Sequence, residues 1–196
     1  MKALIFDCDG VIVETERDGH RPAFNAAFRE AGLDAAWDVA LYGRLLETAG
    51  GKERMRRYFD GRGWPAGLAD RDGLIARLHE LKTGIFMRIV AEGRLPLRSG
   101  IARLVDEARG AGVALAVCST SNERAVELIL RTMLGEERRA AFALVLAGDV
   151  VKRKKPDPEI YRLASERLGV EPATCVVVED SRNGLLAAKG DRKSVV

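Results

Sequence analysis

Cysteine and histidine are scarce in this 196-residue chain, at three and two residues. No apolar run approaches the about 18 residues that a membrane-spanning helix needs. Cys8, Cys118 and Cys175 are widely separated, each in or beside an apolar run. That spacing argues against a disulfide framework or a metal knuckle and predicts reduced core thiols, none of them catalytic. The opening stretch MKALIFDCDG carries acids where a secretory leader needs an apolar centre and a cleavage site, so the expected compartment is the cytoplasm. Charge of one sign is not in excess either. The formal net charge is +3, too small to imply a nucleic-acid partner, and the run Lys152-Arg153-Lys154-Lys155, taken alone, reads as a solvated loop. Internal repeats and low-complexity segments are absent.

What is present is an ordinary globular balance, 47% hydrophobic and 31% charged residues. The length suits one good-sized domain, or a domain carrying a smaller insert. Four short apolar runs read as buried parallel strands: Ala3 to Phe6, Val113 to Cys118, Ala143 to Ala147 and Cys175 to Val178. Among the helical patterns, SGIARLVDEARGAG places Ile101, Leu104, Val105 and Ala108 on one face, with Gly110 and Gly112 ending it. DPEIYRLASERLG predicts Asp157 as N-cap, Pro158 at the first helical position and Gly169 as terminator. Strands alternating with such helices predict an α/β fold, a doubly wound parallel sheet. From Glu16 to about Leu97 the pattern is helical only, too long for a crossover, and predicts an inserted helical cap. Its Phe24, Phe28, Trp37, Phe59 and Trp64 read as cap core. The expected domains are 1–16 with 97–190 for the catalytic core and 17–96 for the cap.

Ligands of open parallel sheets bind at the carboxyl ends of strands. Here the first strand ends in Asp7-Cys8-Asp9-Gly10, the second in Ser119-Thr120 and the last in Glu179-Asp180-Ser181, while the segment after the third reaches Lys155-Pro156-Asp157. Each group alone suits a turn, a helix cap or a solvated charge. In this order they resemble the four motifs of the haloacid dehalogenase (HAD) superfamily, mostly phosphohydrolases with a Rossmann-like core. FDCDGVIVETE, TAGGKER, AVCSTSN, KKPDPEIYRLA and VVVEDSRNGLLAAKG are similar to its CbbY branch, near the β-phosphoglucomutases, over essentially residues 1–190.

A catalyst of phosphate monoester cleavage must neutralise charge, align an attacker and protonate the leaving alkoxide. Asp7 can be the carboxylate nucleophile that forms an aspartyl-phosphate, and Asp9 the general acid and then base. Lys155 would neutralise phosphate oxygens, gripped also by the Ser119 hydroxyl and the Thr120 N–H. The resemblance implies Mg²⁺ held by Asp7, the Asp9 backbone carbonyl and Asp180, with Glu179 acting through water. It implies a Mg²⁺-dependent phosphatase of a small sugar phosphate or bisphosphate, such as xylulose 1,5-bisphosphate, acting as a monomer without nucleic acid or membrane. The alternatives are a phosphomutase, and a truncated fragment that binds phosphate without turnover.

Substrate choice would lie with the cap. Lys52 and Arg54, with Arg57 beside them, read either as holding a second phosphate or as an exposed basic helix start. The stretch is not a Walker A loop, because Leu46 stands at the first glycine position and Glu53 follows the lysine. Glu14 and Thr15 are candidates to touch the sugar. His20 reads as a substrate contact or as a helix-start residue bonded to its own backbone, and His79 as structural. The resemblance stops at Gly190. Asp191 to Val196, DRKSVV, match a common sequencing adapter read in frame, so this tail is expected to be non-native, with no further strand to continue the sheet.

Overall fold

The structure, a computed structural model, describes residues 1–48, 50–93 and 95–196. Of the sequence features above, Ala49 in TAGGKER lies outside them. The chain divides into two compact units, Met1–Glu14 with Gly93–Val196, and Thr15–Glu92.

The first unit is built on a parallel sheet of β1 (Ala3–Phe6), β2 (Ala114–Cys118), β3 (Phe142–Leu146), β4 (Cys175–Val178) and β5 (Ser194–Val195), in the order β3-β2-β1-β4-β5. β1 lies at the centre, pairing Phe6 with Val117 on one side and with Val178 on the other. Side chains alternate across a strand, so both faces of such a sheet must be covered. On one face Ile5, Ala116, Cys118 and Val177 are buried with Ile160, Tyr161 and Ala164 of one helix and Ala187 and Ala188 of another. On the opposite face Phe6 meets Phe142 edge to face, with ring centroids 6.0 Å apart.

The predicted strands are found at their expected places, β2 and β3 displaced by a residue at one or both ends. One helix start differs. The helix after Lys155 begins at Glu159, with Pro158 in the capping position rather than inside the helix. Asp157 Oδ1 accepts from the Glu159 N–H at 3.0 Å, the kind of bond a capping side chain makes, although the regular helix starts one residue later than Asp157 as cap would place it. Gly169 ends it in the left-handed conformation, as its sequence predicts.

The expectation that no strand follows Gly190 is corrected. Ser194 and Val195 pair with Val176 and Val177, and the Val196 N–H donates to the Val177 carbonyl at 2.9 Å. The unpaired edge of β4 is a template for any strand-forming segment, and valine suits it.

Among the described residues the second unit holds four α-helices, α1 (Arg21–Glu30), α2 (Val39–Leu45), α3 (Gly51–Arg62) and α4 (Arg71–Ala91), preceded by a π-helical turn at Glu16–His20. Its core is aromatic: Phe24, Phe28, Trp37, Tyr42, Tyr58 and Phe59 are buried together, with Trp64 packed at the edge. Asp38 and Asp70 cap α2 and α4 by accepting from Leu41 N at 2.7 Å and Gly73 N at 2.8 Å.

Among the described residues the first unit carries the α-helices α5 (Ile101–Gly110), α6 (Glu123–Ile129), α7 (Gly135–Ala140), α8 (Glu159–Leu168) and α9 (Arg182–Gly190), with a π-helical segment at Leu130–Leu134 and a 3-10 turn at Pro172–Thr174. No helix among the described residues is long and apolar enough to cross a membrane.

Candidate active site

The strand order reverses between β1, which leads toward β2, and β4, which leads toward β5, and such a switch point opens a crevice at the carboxyl ends. The ladder extends just past the strands: Asp7 N–H donates to Val178 O at 3.0 Å and Ser119 N–H to Leu146 O at 2.9 Å. This delivers Asp7, Ser119 and Glu179 to one edge of the sheet. Gly10 turns the chain away at φ +82, and a Cβ there would come closer than 3.0 Å to the Asp180 carboxylate.

Lys155 ties this edge together. Its Nζ donates to Asp7 Oδ1 at 2.8 Å, to Cys118 O at 2.9 Å and to Glu179 Oε1 at 2.5 Å, and the side chain is only 6% exposed. The run Lys152–Lys155 is therefore not one solvated loop. Arg153 and Lys154 do pair outward, with Glu159 and Asp149, but Lys155 turns inward. Glu179 Oε1 also accepts from the Tyr161 hydroxyl at 2.7 Å, and Oε2 from the Ser181 hydroxyl at 3.1 Å. Burial pushes the Asp7 carboxyl up to about 8, against the opposing pull of Lys155 and with the help of Glu179 and Asp9. Burial disfavours the Lys155 ammonium, yet Asp7 and Glu179 together hold its pKa well above the usual lysine range.

Asp7, Glu179 and Asp180 each offer a carboxylate oxygen, all within 4.8 Å of one another. Hard oxygen donors around a bare glycine turn fit a hard divalent cation of the Mg²⁺ type, which takes oxygens and retains water. Both Glu179 oxygens already accept hydrogen bonds, which suits it to act through water.

Asp9 Oδ2 accepts from the Ser121 hydroxyl, and Ser119 Oγ accepts from the Ser121 N–H at 3.1 Å. Thr120 stands half-buried between them. Glu14, in the same unit, is paired with Arg98 at 2.5 Å. The other predicted residues belong to the helical unit. Thr15 is buried at its start. His20 is buried, with Nδ1 2.9 Å from Lys82 Nζ and its ring stacked on Phe86 at 3.9 Å. Lys52 is exposed at the start of α3.

Arg54 is not part of an exposed basic start. It is buried, donates to the Tyr42 hydroxyl at 2.9 Å and lies 3.8 Å from Glu16, while its Nε has no hydrogen-bond partner among the described residues. Arg57 is a surface residue paired with Thr48 and Glu47. All three cysteines are free and buried; burial pushes Cys118 up to about 12 and Cys8 well above the usual thiol range, which disfavours the reactive thiolate at these two.

Sequence reasoning missed Tyr161, Ser121 and Gly184. Tyr161 sits in the apolar face of α8, and a phenol placed there must find a polar partner, which was the available signal. Gly184 lies where a Cβ would come closer than 3.0 Å to Cδ and both oxygens of Glu179.

The chain matches the haloacid dehalogenase-like hydrolase family over residues 1–190. It is 56% identical to a CBBY-like protein of Arabidopsis thaliana over 95% of this chain and 60% of that one, so it spans less than two thirds of that relative. A phosphorylated carbohydrates phosphatase of Thermotoga maritima is 32% identical over 96% of this chain and 81% of its own. The crystal structure of CbbY from Rhodobacter sphaeroides with phosphate superposes with a TM-score of 0.89 at 44% identity, covering all of this chain and 84% of that one. A mutant of the same protein has been solved with xylulose 1,5-bisphosphate, at the same similarity.

Proposed function

The chain belongs to the haloacid dehalogenase-like hydrolase family, and from that premise we propose that it is a phosphatase of small phosphorylated sugars. The observation that carries this is the cluster in which one buried lysine joins the carboxylates of Asp7 and Glu179 at the strand ends beside Asp180.

Asp7 attacks the phosphorus, forming an aspartyl-phosphate and breaking the bond to the sugar oxygen. Asp9, oriented by the Ser121 hydroxyl, gives its proton to that leaving oxygen. It then takes a proton from water, which attacks the aspartyl-phosphate, releases inorganic phosphate and restores Asp7. Lys155 neutralises the phosphate oxygens, and Ser119 and Thr120 at the end of β2 position them. Mg²⁺, held by Asp7, Asp180 and the Asp9 carbonyl with Glu179 behind it, would neutralise phosphate charge and keep Asp7 ionised.

The bisphosphate bound by the Rhodobacter relative makes ketose bisphosphates the first substrates to test. Incubation with Mg²⁺ and a panel of sugar mono- and bisphosphates should release inorganic phosphate, and Asp7→Asn should release none while keeping its fold. Isomerised sugar phosphate without phosphate release would identify a mutase instead. Equal turnover by parent and Asp7→Asn would remove Asp7 from the nucleophile role.

A further inference from the structure

We infer that Tyr161 is a positioning residue for Lys155, acting through Glu179; this rests on the phosphatase reading above. Tyr161 has no exposed surface, and its ring belongs to the core cluster beneath the sheet. Its hydroxyl reaches Glu179 Oε1 at 2.7 Å, the same oxygen that Lys155 contacts at 2.5 Å. The Lys155 ammonium also stands 5.0 Å from the Tyr161 ring centroid, so the ring walls it on one side.

An ammonium has three N–H donors and no more. In Lys155 all three have acceptors: Asp7 Oδ1, Glu179 Oε1 and Cys118 O. A phosphate oxygen must therefore draw the ammonium partly away from one of them. Cys118 O is main chain and Asp7 is the attacking group, which leaves Glu179 as the partner that must yield. The phenol shares Oε1 and satisfies it when Lys155 turns to phosphate. Without the hydroxyl, that turn would strand a buried carboxylate oxygen, and the Lys155–Glu179 pair would hold the ammonium back.

The test is calorimetric titration of inorganic phosphate in Mg²⁺ buffer into the parent, Tyr161→Phe, Glu179→Gln and the double variant. Phe keeps the packed ring, and melting curves read any purely structural loss separately. Tyr161→Phe should weaken phosphate binding about tenfold, the scale of one hydrogen bond to a charged group. In the Glu179→Gln background the same substitution should have no further effect, because the pathway runs through that carboxylate. Unchanged phosphate affinity in Tyr161→Phe overturns the inference, even where melting falls, and so does an undiminished loss in the Gln background. A parent that binds no phosphate overturns the phosphatase reading together with this inference, whereas a parent that binds it as well as Tyr161→Phe does overturns the inference alone.

Discussion

Gly184→Ala is the substitution whose effects on stability and activity should part most clearly. Position 184 is the third residue of α9, and its N–H donates to the capping Ser181 Oγ at 3.0 Å. In an unobstructed helix the change would gain up to ~1 kcal/mol from helix propensity. Here the new Cβ would come closer than 3.0 Å to Cδ and both oxygens of Glu179. The carboxylate must then retreat by roughly 1.5–2 Å to reach ordinary contact distance. It is held by Lys155, Tyr161 and Ser181 at 2.5, 2.7 and 3.1 Å, so it cannot retreat without losing at least one charged hydrogen bond. Such a loss costs about 1.5–3 kcal/mol, giving a net destabilisation of up to roughly 2 kcal/mol. For a chain of this size that lowers Tm by at most about 8 °C. Activity should fall further, by about a hundredfold, because Lys155 shifts with its partner. The control is Gly84→Ala in α4, where a Cβ meets no atom within 4 Å: it should raise Tm by about 2–4 °C and leave phosphate release unchanged. Paired thermal melts and phosphate-release assays read both. A Gly184→Ala protein that melts at or above the parent and turns over normally would refute the close packing on Glu179.

Asp180→Ala should raise the Mg²⁺ concentration needed for half-maximal activity, whereas Lys155→Ala should lose activity at saturating Mg²⁺; superimposable metal titrations of the two would count against separate roles. Burial raises the Asp7 carboxyl to about 8, so the folded state binds that proton more tightly than the unfolded chain and stability falls as pH climbs from about 4 to about 8. In chelator, Asp7→Asn should remove that slope and gain Tm relative to the parent toward pH 8; parallel curves would show that the carboxyl is not so perturbed. Lys52→Ala should reduce kcat/KM for bisphosphates more than for monophosphates if this exposed lysine holds a second phosphate, and equal losses would leave it a surface charge. Arg54→Ala should instead destabilise the protein by about 1–3 kcal/mol, since it strips Tyr42 and Glu16 of a buried partner; an unchanged melt would contradict the network.

Legibility in the sequence followed the range of the interaction that sets each residue. β1 and β4 could be read to the residue because four apolar side chains in a row, bounded by an acid, suit a strand inside a parallel sheet, fully buried in β1 and half-buried on one face in β4. The start of α8 lies one residue beyond the sequence expectation, although Asp157 makes the capping-type bond to the Glu159 N–H, because the first turn's backbone pairing begins at the Pro158 carbonyl. β5 was invisible for the opposite reason: two residues carry little signal of their own, and the open edge of β4 selects them. At the site, Asp7 and Lys155 stand 148 residues apart, and only the order of the strand-end motifs brought them together on paper. That order says which backbone ends converge, not which atoms share an acceptor. Arg54, read from the sequence either as a phosphate holder or as part of an exposed helix start, turns inward for this reason, since the Tyr42 hydroxyl that receives it lies on another helix. Tyr161 and Gly184 make the same point from the other side. One contributes a hydroxyl and the other a missing Cβ, both to the carboxylate of Glu179, and neither has a role until that carboxylate is in place. Residues of this second kind bear on how tightly Lys155 is held, since both meet the one carboxylate that Lys155 shares.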